Sequence, residues 1–216
     1  DGTGEGEASP HAAHNTKLKL PTTRVLPNPM EPRAHIVSYR AKDDSYDIYT
    51  CAQGKNLLRK LFSLTTNVPE EKIRLHVHDV GGSFGQRSPF YPEHGALMIA
   101  AKKLGRPVKW VSSRSEGFLA DSHGRGIVIK AQLALDKEGR FLAAQFDFLG
   151  DMGAYLSAAG AASHTRNPAT CMTGVYRIPA LYGRFRLGLT TTTPIAPYRG
   201  AGRPDMAYSI ERLVSK

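Results

Sequence analysis

The stretch Ile73-Arg74-Leu75-His76-Val77-His78-Asp79-Val80-Gly81-Gly82-Ser83-Phe84-Gly85-Gln86-Arg87 changes character halfway along. Ile73, Leu75 and Val77 alternate with Arg74, His76 and His78, the period-two pattern of a half-buried strand. The alternation stops at a glycine loop, Gly81–Gly85, where missing Cβ atoms let backbone approach a ligand closely. Phe84 is unusual there: it either anchors the loop or covers a flat ligand. The loop is not a Walker A sequence, because no Gly-Lys-Ser/Thr follows, and it is not a GxGxxG fingerprint. On its own it is equally a tight turn.

Working outward, His35–Tyr39 and Tyr46–Thr50 read as paired strands around the turn residues Asp43-Asp44-Ser45. Leu57, Leu58, Leu61 and Phe62 fall on one helix face, and Val68-Pro69 closes that helix. Beyond the loop a second helix is expected from Glu93, with Leu97, Ala100, Ala101 and Leu104 on one side. Gly105 suits the position just past its end, and Pro107 is a stop. Val108–Val111 is a further strand. This mixture of strands and helices predicts an α+β, two-layer unit.

The second half begins with a hairpin, Ile127–Leu133 and Phe141–Leu149 about Asp136-Lys137-Glu138-Gly139. A loose Gly/Ala/Ser region follows at 150–164. A strand over Gly183–Thr193 leads to a second glycine loop, Arg199–Gly202, with a helix starting near Pro204. Residues 1–32, rich in Gly and Pro, read as an irregular linker or covering arm. The expected organisation is therefore an arm over 1–32, a first unit over 33–125 with the Gly81–Gly85 loop, and a second over 126–216 with the Arg199–Gly202 loop. With each loop after a strand and before a helix, free backbone N–H groups and the helix dipole favour an anion.

Composition narrows the function. The 216 residues are 41% hydrophobic and 22% charged, ordinary for a globular chain. No apolar run reaches the ~18–20 residues of a membrane span. Asp1–Glu5 has no basic-then-apolar pattern of a signal peptide, and no Met begins it, so a processed chain or a section of something longer is expected. Two cysteines, Cys51 and Cys171, exclude a disulfide scaffold, a four-cysteine zinc site and a protein-held iron–sulfur cluster. Both read as core residues, with no nearby His in sequence to activate them. The net charge of +10 is scattered, with no basic run of five, so a solvated basic surface outweighs nucleic-acid binding.

In the second loop, Tyr198-Arg199-Gly200-Ala201-Gly202-Arg203, two arginines around glycines suit phosphate or oxyanion contact; the alternative is a polar surface turn. Thr50 and Gln53 match a capping box at the first helix. His76 and His78 are a possible metal pair lacking a third ligand. No residue announces itself as catalytic acid, base or nucleophile.

The ordered set of motifs resembles the large subunits of molybdenum hydroxylases, the family of xanthine dehydrogenases, aldehyde oxidoreductases and aerobic carbon monoxide dehydrogenases. Asp79–Gly85 is similar to the family's first molybdopterin loop and Pro197–Arg203 to its second. Leu104–Trp110 and Tyr176-Arg177-Ile178-Pro179 also fit, and the whole is nearest the carbon monoxide dehydrogenase-like branch called form II. The resemblance runs from about Glu31 to the C-terminus and covers only a central section of the family's large subunit. It implies α+β units of the aldehyde oxidase/xanthine dehydrogenase molybdopterin-binding type.

By the same resemblance, Gln53 faces a ligand of the molybdenum, Gly82, Ser83, Phe84 and Gly85 line the cofactor, and Arg199 contacts it. No residue ligates the metal directly. Ser88 and Asn167 stand where purine oxidisers carry a Glu and an Arg, and Ala201 replaces a stacking Phe. Gly200 stands where carbon monoxide oxidisers carry a copper-bridging Cys. These four are candidate substrate-pocket positions, and purine or efficient carbon monoxide oxidation is disfavoured.

The family's catalytic Glu has no counterpart here; Glu93 and Glu116 read as solvent-facing. The resemblance thus implies a fragment or split subunit, inactive alone, of an oxidoreductase that inserts water-derived oxygen into an aldehyde or N-heterocycle. Its implied cofactor is molybdopterin with molybdenum, in the cytosine dinucleotide form. The implied partners are the remaining half of the molybdopterin region, an FAD subunit and a 2Fe-2S subunit, with no nucleic acid or membrane, in the cytoplasm. The alternative is a non-catalytic basic module that binds nucleotide or nucleic acid.

Overall fold

The computed structural model describes residues 12–157 and 159–216. In chain order it contains β1 (His14–Pro21), β2 (Arg24–Val25), β3 (Ala34–Arg40), β4 (Ser45–Thr50), α1 (Lys55–Thr66), β5 (Ile73–His76), α2 (Pro92–Leu104), β6 (Val108–Val111) and α3 (Arg114–Ala120). There follow β7 (Gly124–Arg125), β8 (Ile127–Leu135), β9 (Phe141–Asp151), α4 (Gly160–His164), α5 (Arg166–Ala169), β10 (Ala180–Gly188) and α6 (Arg203–Val214). The chain divides into two compact units, residues 26–123 and a second made of 124–216 with the segment up to Val25. Both are sheet-and-helix units, as the α+β reading predicts.

In the unit over 26–123 the sheet order is β5-β4-β3-β6. β3 pairs antiparallel with β4 and β6, while β4 and β5 are parallel. A parallel pair needs a crossover, and α1 supplies it. The core joins Val37, Ile48 and Leu75 of the sheet to Leu58 and Phe62 of α1 and to Leu97, Met98 and Ala101 of α2. The apolar stripes are narrower than the sequence suggests: Leu57 and Leu104 stay exposed. Gly105 ends α2 at φ 61°, its N–H bonded to Ala101 O.

A polar cluster is buried within this unit. Arg33 pairs with Asp121 and Glu93 and lies 3.8 Å from the Tyr91 ring centre. His35 exchanges a 2.7 Å hydrogen bond between Nδ1 and Thr50 Oγ1, stacks on Trp110 and meets His94 edge-on. Burial, reinforced by Arg33 and Arg87, lowers the His35 pKa to about 3, and burial first, then His35 and Arg33, lowers His94 well below its ordinary value. Both rings are therefore neutral in the fold and take up protons only on unfolding. Their contribution is complete above about pH 6.5 and is lost as pH falls toward 3. His35 alone costs about 2 kcal/mol of stability at pH 5 relative to pH 7.5. Denaturant melts at pH 7.5, 6 and 5 test this; a midpoint unchanged to pH 5 would refute it.

In the other unit the sheet order is β1-β8-β9-β10, with β9 and β10 parallel and the other pairs antiparallel. Ile127, Ile129, Ala131 and Leu133 of β8 alternate inward against Phe146 and Phe148 of β9 and Met206, Ile210 and Leu213 of α6. β2 and β7 form a separate two-stranded ribbon.

The irregular reading of 1–32 is corrected here. Residues 1–11 lie outside the described residues, but His14–Pro21 pairs along β8 from Leu135 to Val128. Leu18 and Leu20 turn toward the core while Lys17 and Lys19 alternate with them, a short strand pattern masked by flanking prolines. The strand expected over Gly183–Thr193 is Ala180–Gly188, and the loose region 150–164 ends in the short helix α4.

Candidate functional site

The first loop is built by contacts from three segments. Glu31 clasps it from both directions: Gly81 N–H donates to Glu31 Oε2 at 2.7 Å and Glu31 N–H to Gly81 O at 3.1 Å. A Cβ on Gly81 would fall 2.5 Å from Glu31 Cβ, so only glycine fits the clasp. Arg87 donates from Nη2 to Glu31 O and receives Gln53 N–H at its carbonyl, 3.1 Å. Gln53 Oε1 accepts both the Ser83 hydroxyl and Gly85 N–H, the latter at 2.9 Å. The capping role expected of Gln53 is corrected: the α1 N-cap is Gly54, with no side-chain cap bond, and Thr50 is spent on His35. Gln53 fastens the loop instead.

The loop backbone turns left-handed at Gly82 (φ 104°), Phe84 (φ 54°) and Gly85 (φ 104°). The Phe84 ring, 42% exposed, folds back on its own loop, so that a Cβ on Gly82 would meet it at 3.2 Å. The N–H groups of Gly82, Ser83 and Phe84 find no acceptor among the described residues. Gln53 likewise keeps both Nε2–H donors uncommitted. Consecutive free amides in a glycine-rich turn make an anion-binding concavity. β5 ends at His76 and α2 begins only at Pro92, so the turn itself, rather than a helix dipole, presents these donors.

The second loop lies in the other unit. Ala201 N–H closes a turn on Tyr198 O at 2.7 Å, and Arg203 N–H bonds Gly200 O at 3.1 Å. Gly200 (φ 92°), Ala201 (φ 48°) and Gly202 (φ 90°) are all left-handed, and Gly202 caps α6. β10 ends ten residues earlier, so this loop does not spring directly from the strand. The Arg199 side chain is exposed, and its guanidinium has no partner among the described residues. Gly200 is exposed and Ala201 half-buried; Asn167 lies in α5 beside Pro168, which packs against Gly202. Ser88 is half-buried just past the first loop, its N–H on Gly85 O at 3.2 Å.

Other sequence candidates resolve differently. His76 shares a 2.9 Å hydrogen bond with Asp47 and stacks on Tyr49, and among the described residues no group of three or more His, Cys, Asp or Glu side chains can hold a metal. Cys51 and Cys171 are free thiols; burial pushes the Cys171 thiol up. Glu93, expected to face solvent, is paired with buried Arg33. Glu116 is exposed and completes the capping box of α3 with Ser113, a Ser-x-x-Glu signal present in the sequence. Glu31, Arg87 and Arg125 are invisible as loop supports, since each acts across fifty or more residues of chain.

Each glycine loop can by itself contact an anionic group, the first through three unclaimed amides and the second through an unclaimed guanidinium. Residues 3–216 match the molybdopterin cofactor-binding domain family. Subunit gamma of the 6-hydroxypseudooxynicotine dehydrogenase complex of Paenarthrobacter nicotinovorans is 33% identical over 202 residues, covering 94% of this chain and 25% of that one. The carbon monoxide dehydrogenase large chain of Hydrogenophaga pseudoflava is 28% identical, covering 88% and 24%. Quinoline 2-oxidoreductase from Pseudomonas putida 86 superposes with a TM-score of 0.88 at 30% identity, covering 94% and 26%. The chain belongs to the molybdopterin cofactor-binding domain family of the molybdenum hydroxylases. It spans about a quarter of the length of these relatives.

Proposed function

We propose that this chain supplies part of the molybdopterin site of an oxidoreductase that hydroxylates an N-heterocycle or aldehyde with oxygen from water. The observation that carries the reading is the run of unclaimed N–H groups at Gly82, Ser83 and Phe84 beside the free amide donors of Gln53. When bound, the molybdenum cofactor would supply two-electron redox chemistry. The chain's own share is binding and orientation. Gly82, Ser83, Phe84 and Gln53 would donate hydrogen bonds to oxygen atoms of the cofactor, and Arg199 would offer a cation to an anionic group of it. Fixed donors of this kind are worth about 3–4 kcal/mol each where charge develops.

Ser88 in one unit, and Asn167, Gly200 and Ala201 in the other, are each proposed as substrate-contacting positions. All are neutral and small or medium-sized, which suits an uncharged ring better than a purine gripped by Glu and Arg. Relatives whose names specify nicotine-derived or quinoline substrates support a heterocycle. The proposed cofactor form is the cytosine dinucleotide, and the proposed partners are the rest of the molybdopterin region, with its catalytic Glu, an FAD subunit and a 2Fe-2S subunit in the cytoplasm. No helix among the described residues is long and apolar enough to cross a membrane. The alternative of a basic nucleotide-binding module finds no support in the family match.

Molybdenum analysis of the tagged protein purified from its native host tests the reading. Stoichiometric metal with partner subunits attached is the expected result. Its absence from cells that load other molybdoenzymes would overturn it. The 216 residues assayed alone are expected to turn over no substrate, and measurable hydroxylation by them would refute the dependence on a Glu from elsewhere.

A further inference from the structure

We propose that Arg125 is the positioning residue of the Arg199–Gly202 loop, holding its turn in the binding arrangement through two successive backbone carbonyls. The inference deepens the proposed function by naming what orders one of the two loops. Arg125 Nη1 donates to Tyr198 O at 3.1 Å and Nη2 to Arg199 O at 3.0 Å. Tyr198 O is also the carbonyl that closes the turn with Ala201 N–H, so the guanidinium pins the turn at its defining bond. The planar fork matches two carbonyls in a way the single ammonium of lysine cannot.

Arg125 is itself held from every side. Its guanidinium lies 4.9 Å from the Tyr198 ring centre and 3.7 Å from the buried carboxylate of Asp205 in the first turn of α6. Burial pushes the Asp205 carboxyl up, against the pull of Arg125. Behind it, His164 Nε2–H donates to Arg125 O at 2.9 Å, and a Cβ on Gly150 would sit 2.5 Å from the His164 ring. Gly124 lets Tyr198 rest directly on the backbone, where a Cβ would fall 2.1 Å from Tyr198 Cβ. Arg125 adopts φ 63°, a left-handed conformation that a residue with a side chain holds only when its surroundings enforce it.

The test is amide hydrogen exchange, followed by mass spectrometry, on the protein isolated from its host as wild type, Arg125→Lys and the double variant Arg125→Met/Asp205→Asn. Lysine keeps a cation for Asp205, so the melting temperature stays near wild type, but it loses the bidentate grip. Exchange in the peptide containing Ala201 and Arg203 is expected to rise roughly tenfold or more, with exchange in β8 unchanged and molybdenum content reduced. The double variant removes both charges, so it escapes an unpaired buried carboxylate and reports on the loop even if the lysine variant folds poorly. Wild-type protection of Ala201 and Arg203 in both variants would overturn the proposal. Faster loop exchange in a protein that never carries molybdenum would sustain the positioning role and sink the cofactor reading.

Discussion

Replacing Gly202 by alanine is expected to lower the melting temperature by about 10 °C. Two effects add. Gly202 stands at φ 90°, which is costly for any residue with a Cβ. That Cβ would also lie 1.9 Å from Ser163 O and 3.0 Å from Pro168 Cδ, and both obstacles belong to the packed α4–α5 segment rather than to a flexible side-chain tip. Strain and overpacking together cost about 3–5 kcal/mol. Two controls separate them. Gly54→Ala has a similar φ of 88° but meets nothing within 4 Å, so it shows the strain alone, about 1 kcal/mol. Gly188→Ala has neither penalty and is expected to stay within about 0.5 kcal/mol of wild type. Equal melting temperatures for the Gly202 and Gly54 variants would show that the α4–α5 segment yields freely.

Gln53 carries the second large effect, on turnover rather than stability. Its Oε1 ties Ser83 and Gly85 together, while its Nε2–H donors are the part left for a ligand. Gln53→Glu keeps the acceptor and removes the donors. In the assembled enzyme it is expected to fold and load molybdenum as wild type does, but to lose about 10²–10³-fold in kcat, the usual cost of one preorganised donor. Gln53→Ala also removes the acceptor, so the loop loosens and metal content falls as well. The split between the two variants is the diagnostic: if Gln53→Glu retains full turnover, Gln53 serves the loop only.

The first loop was legible because it interrupts a period-two strand, and its composition alone declares a special backbone. Its supports were not. Thr50 and Gln53 have capping-box spacing, yet β4 carries Thr50 into the core beside His35, so the local signal lost to a tertiary contact. Leu18 and Leu20 alternate with lysines in the manner of a strand, but prolines at 10, 21, 27 and 29 hid an edge strand whose pairing lies more than a hundred residues away. Helix periodicity places Glu93 toward solvent because it does not reveal Arg33, sixty residues earlier, which pairs with it in the fold.

Local patterns suffice for the main strands and helices (β3–β6, β8, β9, α1, α2 and α6), the α+β class, the two glycine loops and, through their ordered motifs, the family. These depend on local rules: side-chain period, the left-handed freedom of glycine, and the residues that end helices. Long-range folding settles which donors remain free, which side chains hold each loop, and that the amides of the first loop come from a turn rather than a helix end. A hydrogen bond is consumed or left open by whatever partner lies within about 3 Å, and for Gly82–Phe84, Gln53 and Arg125 that depends on residues that only folding brings alongside.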